Sequence, residues 1–102
     1  MRTLKFNKPY KNYRTTIQDG KSLDNPDSTH YGRFSTVTTK FGIVTVSEMD
    51  WAHNNGRSYF TLFSTNIKGI NYSAWLNEAR LSDRQIKFMS TNFIKQLLNK
   101  HP

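Results

Sequence analysis

Between Gly42 and Ile67 hydrophobic pattern and turn chemistry agree more closely than anywhere else in the chain, and this agreement restricts what the rest can form. Ile43 to Trp51 and Tyr59 to Thr65 are rich in β-branched and aromatic residues. Between them, His53-Asn54-Asn55-Gly56-Arg57 contains an Asn-Gly step suited to the positive φ angles of a type I′ turn. A β-hairpin with a two-residue loop at Asn55-Gly56 is therefore expected. That register sets Trp51 opposite Phe60 and Met49 opposite Leu62 on one face, the expected core face. Ala52, Asp50 and Glu48 then lie opposite Tyr59, Thr61 and Phe63 on the other face.

The flanking segments extend this unit. Tyr31 to Thr39 reads as another strand, turned into the hairpin by Lys40-Phe41-Gly42, and its Ser and Thr content predicts one polar, partly wet face. Beyond Lys68-Gly69, residues 71–80 suit the start of a short helix with Ser73 as its N-cap and Trp75 and Leu76 in the core. The last element is the clearest helix. Ser82-Asp83-Arg84-Gln85 is a capping box, and Leu81 and Ile86 occupy the staple positions. Ile86, Met89, Phe93 and Leu97 form one apolar stripe, widened by Ile94 and Leu98. Arg84, Lys87, Thr91 and Lys95 take the opposite side with Phe88, which is expected to pack under the N-terminal segment.

The expected fold class is α+β: a small antiparallel meander of three to four strands packed on one face by a C-terminal helix. Residues 1–17 form a basic, aromatic arm or edge strand, 18–30 a polar loop and 31–102 a single β-β-β-α domain. The loop holds Asp19, Asp24 and Asp27 near His30, at spacings that match no metal-ligand signature. No metal or other cofactor is expected. With 102 residues the chain has room for one small core, and seven Phe, five Tyr and two Trp must supply much of its burial.

Charge carries the functional expectation. Fifteen Lys and Arg against seven Asp and Glu leave a net +8, which favours a polyanionic partner such as DNA or RNA. Arg2, Lys5, Lys8, Lys11 and Arg14 recur at every third position, with Phe6, Tyr10 and Tyr13 between them, and Pro9 opposes a continuous helix. On an extended chain that spacing lines cations along phosphates while Tyr10 and Tyr13 stack on bases. Arg33, Lys40 and Arg57 are expected to add phosphate contacts. Phe63 and Tyr59 are compatible with a stacking platform, but Glu48 and Asp50 share their face, so cover by the N-terminal segment or a subunit partner is the stronger expectation.

The chain is thus expected to be a non-catalytic nucleic-acid-binding protein with weak sequence preference. A small interaction module, an inhibitor or adaptor docking on an acidic protein surface, is the alternative reading of the same charge. Ten Asn and nine Lys suit an AT-rich coding sequence of the phage or mobile-element kind. For a nuclease only His53 near Asp50 offers a base, and nothing converges on it. Without cysteine there is no disulfide framework, and no apolar run is long enough for a signal peptide or a membrane span, so a cytoplasmic protein is expected. An unpaired outer strand and the surplus apolar residues Phe88, Ile94 and Leu98 would allow a homodimer.

Overall fold

A computed structural model describes residues 3–11, 30–53 and 56–100, with the backbone alone at Tyr10, Lys11, His30 and His53. The helix forms as its local chemistry dictates. Ser82 Oγ accepts the Gln85 N–H at 3.1 Å and Gln85 Oε1 accepts the Ser82 N–H at 2.9 Å, closing the capping box before α1 (Asp83–Lys100). Ile86, Met89, Phe93, Ile94 and Leu97 are buried along one stripe. Phe88 is 64% exposed, so it is Phe6, not Phe88, that meets the helix from the N-terminal side.

The sheet is wider than the expected three to four strands. Four long strands, β3 (His30–Thr39), β4 (Gly42–His53), β5 (Gly56–Ile67) and β6 (Ile70–Leu76), form an antiparallel meander. Two short segments, β1 (Lys5–Phe6) and β2 (Tyr10–Lys11), both pair with β6 and share one edge, making five positions in the order β1-β6-β5-β4-β3. The architecture is therefore α+β, a five-strand antiparallel sheet with one C-terminal helix packed on it.

Strand β6 replaces the helix expected to start near Ser73. Lys68 (φ 53°) and Gly69 (φ 83°) supply the two positive φ angles of a two-residue hairpin, and Ile70 lies opposite Ile67. Asn66 Oδ1 accepts the Gly69 N–H at 3.1 Å. Once this turn folds the chain back on β5, a complete backbone ladder outweighs the weak helix propensity of Asn, Tyr, Ser and Trp.

In the β4–β5 hairpin His53 lies opposite Gly56 and Met49 opposite Phe60, two residues out of the expected register. A two-residue shift leaves each side chain on its face. What changes is which face is the core. Val44, Val46, Phe63, Ala74 and Leu76 are buried beneath α1, and Phe93 lies 6.3 Å from Phe63 and stacks at 5.7 Å on Phe6. Trp51, Met49, Phe60 and Leu62 point away from the helix. Phe63, expected on the outward side under the N-terminal segment or a partner, is fully buried, and it is Phe93 of α1 that packs against it.

Candidate functional site

Strands β4 and β5 change character halfway along. Near the β3–β4 turn the helix side carries Val44, Val46 and Phe63, and the open side carries Thr45 and Ser64. Towards the β4–β5 turn the pattern reverses: the helix side carries Glu48, Asp50 and Thr61, and the open side carries Met49, Trp51, Phe60 and Leu62. The reversal creates two chemically distinct surfaces back to back at one end of the sheet.

The helix side of that end is a carboxylate–arginine network. Arg57 spans Asp50 with two bonds, Nε to Oδ1 at 2.8 Å and Nη2 to Oδ2 at 2.7 Å, and Arg80 Nε donates to Oδ2 at 2.7 Å. Bonding to Arg57 first, and Arg80 next, holds the Asp50 carboxyl well below the usual carboxylate range. Arg80 reaches there from a left-handed backbone (φ 59°) that few residues other than glycine adopt, with its guanidinium 4.4 Å from the centre of the Tyr31 ring. Glu48 is buried; its Oε2 accepts the Leu81 N–H at 2.7 Å, and Arg33 Nη1 stands 3.9 Å from Oε1. Arg33 also pairs with Asp83 at the start of α1. These contacts fasten the linker between β6 and α1 onto the sheet.

The open side is of another kind. The ladders align Phe34, Ser47, Leu62, Trp75 and Lys5 in one row across all five positions. At about 4.8 Å per strand the row spans roughly 19 Å. The Lys5 ammonium lies 4.8 Å from the centre of the Trp75 ring at its end. A second row sets Met49 beside Phe60, and Trp51 lies opposite Ser58 in the next. Around these rings the face carries Thr36, Thr38, Thr45, Ser64, Asn66 and Asn71. Among the described strand positions on this face there is no Asp or Glu, and no described helix or strand covers it.

The expected phosphate-binding residues are scattered. Lys5 and Lys8 are exposed on the β6 edge, and the backbone of Tyr10 and Lys11 follows them there. Arg2, Tyr13, Arg14 and the 18–29 stretch of the polar loop lie outside the described residues, as do the side chains of Tyr10, Lys11, His30 and His53. Arg33 and Arg57 are engaged by Asp83 and Asp50. Lys40 shares a cleft of about 440 Å³ with Lys87, Lys95 and Phe41, between the β3–β4 turn and α1. The rings of the open face were missed as a site because they read as core. The signal was the reversal of apolar character within each strand. Among the described residues no group of three or more His, Asp or Glu gathers as metal ligands would, and no helix is long and apolar enough to cross a membrane.

The class that fold and surface define is an open-faced α+β sheet domain. Comparison with protein-family models finds no match, and comparisons with curated proteins and with solved structures find none either.

Proposed function

We propose that this protein binds single-stranded nucleic acid on the open face of its sheet, without catalysing a reaction and with weak sequence preference. The observation that carries the reading is the row from Phe34 through Leu62 and Trp75 to Lys5, with Phe60 and Trp51 beside it, on a face where no described strand position is acidic. A sheet of this width that presents aromatic side chains can stack about two or three unpaired bases, and base stacking tolerates any sequence because every base has a π-face. A duplex hides those faces. Ser, Thr and Asn around the rings offer hydrogen bonds to base edges, and Lys5 and Lys8 offer charge to phosphates.

The position of the acids supports the same reading. Glu48 and Asp50 would repel phosphates on a stacking face, but they lie on the helix side and are engaged by Leu81, Arg57 and Arg80. Bonding of both Asp50 oxygens by Arg57 and Arg80 also leaves that carboxylate unavailable as a general base. The cleft of Lys40, Lys87 and Lys95 favours a second reading, docking on an acidic protein, since it lies away from the rings.

The test is fluorescence anisotropy with labelled single-stranded and duplex DNA and RNA at several salt concentrations. Single strands should bind more tightly than duplexes, and the logarithm of affinity should fall linearly with log salt. Equal binding of both forms would remove the stacking face from the account. Absence of binding at low salt would remove nucleic acid altogether, and a stoichiometric protein captured from nuclease-treated lysate would then favour the second reading.

A further inference from the structure

We infer that two copies of this chain pair through their β3 strands, forming one continuous sheet with a shared open face. Among the described residues β3 is the outermost strand on its side, whereas the opposite edge is covered by β1 and β2. It is ten residues long, His30–Thr39. An outer strand of this length normally carries a device against pairing, such as proline, a bulge or an outward lysine. β3 pairs with β4 without a bulge and contains neither proline nor lysine. Its one charged residue, Arg33, is engaged by Asp83 and faces Glu48. Phe34 stands 68% exposed at the middle of this edge.

The strand is complementary to itself, which is what a two-fold contact requires. Antiparallel pairing centred on Phe34 joins residues 30–38 of one copy to residues 38–30 of the other. Phe34 then meets Phe34, Tyr31 meets Val37, and Arg33 meets Ser35. Aromatic–aromatic and aromatic–β-branched pairs are favourable across strands, and no like charges oppose one another. The occupant is a second copy because β3 offers these pairs to its own reverse. The pairing also bears on the proposed binding face: the row Lys5–Trp75–Leu62–Ser47–Phe34 would continue into its own reverse, giving one track that crosses the two-fold axis. Only that consequence rests on the nucleic-acid reading.

The chain has no cysteine, so a single introduced thiol reports contact without interference. Sedimentation equilibrium of the nucleic-acid-free protein should give twice the chain mass of 11.9 kDa. Residues directly opposite in antiparallel strands have Cα atoms about 4.5–5.5 Å apart, within disulfide range. Mild oxidation should therefore convert Phe34→Cys to a covalent dimer far faster than Phe88→Cys, an exposed position on α1. A monomer at all concentrations would overturn the inference, as would a dimer in which Phe34→Cys cross-links no faster than Phe88→Cys. Thr36→Pro, which removes an edge N–H, should give a monomer with an unchanged circular dichroism spectrum. If that variant unfolds, the cross-linking comparison decides. None of these measurements uses nucleic acid, so their failure would leave the binding proposal untouched, and failure of binding would leave the dimer untouched.

Discussion

Glu48 Oε2 accepts the backbone N–H of Leu81 at 2.7 Å, so a buried carboxylate in the middle of β4 fixes the residue that precedes the helix cap. Leu81 is itself buried, and the Ser82 cap follows it immediately. Strand β4 thus sets where α1 begins. Glu48→Ala strands the Leu81 N–H and should cost about 1–3 kcal/mol, whereas Glu48→Gln keeps an acceptor and should cost less. Urea unfolding of the two variants at neutral pH checks the ordering, and equal losses would show that the bond does not hold the linker.

Asp50 makes stability depend on pH. Its carboxyl is held low in the folded protein, chiefly by Arg57 and then by Arg80, so the unfolded chain binds a proton more readily. The contribution is fully present above the unfolded value near pH 4 and is lost as pH falls through the lower folded value. Thermal midpoints measured from pH 7 down to pH 2 should fall more steeply for the native protein than for Asp50→Asn, which lacks the titrating group. Parallel curves would assign the acid sensitivity elsewhere.

Phe93 joins both halves of the core, since it packs against Phe63 from the sheet and Phe6 from the N-terminal edge strand. Phe93→Ala should cost about 3–5 kcal/mol. Phe88→Ala, five residues before Phe93 but exposed, should change stability by less than about 0.5 kcal/mol. Chemical denaturation of both variants makes the comparison.

Removing the Ser82 hydroxyl takes away the acceptor of the Gln85 N–H. Ser82→Ala should lose about 1 kcal/mol, read from the same urea curves.

On the open face, Trp75→Ala and Phe60→Ala should each weaken single-strand binding by about 1–3 kcal/mol while leaving the slope against log salt unchanged. Lys5→Gln should reduce that slope by about one phosphate. Anisotropy titrations at several salt concentrations separate the two effects. A ring variant that lowers only the salt slope would contradict stacking.

How much of this was readable in advance depended on range. The capping box, the staple and the Ile86-Met89-Phe93-Leu97 stripe involve residues a few positions apart, and helix geometry alone brings such residues together. The strands β3, β4 and β5 were equally legible, because β-branched and aromatic runs suit an extended chain. The β4–β5 hairpin was legible from its Asn-Gly step, although it lies two residues out of the expected register. The Lys68-Gly69 turn has no such step to announce it, and β6 forms a strand only because β5 lies beside it.

What the sequence by itself determined is thus the set of local conformations: one capped amphipathic helix, an extended middle region and a basic chain without cysteine. Which face of the sheet became the core was decided by tertiary structure alone. Near the β4–β5 turn the apolar residues Met49, Trp51, Phe60 and Leu62 share one side, and a period-two pattern taken there points to the wrong face. The choice fell to Val44, Val46, Phe63 and Ala74, which offer the helix a surface without a polar atom to bury. Asp50 follows them inward because Arg57, across the hairpin, and Arg80, thirty residues on, bond both of its oxygens, and Glu48 because one of its oxygens accepts the distant Leu81 N–H.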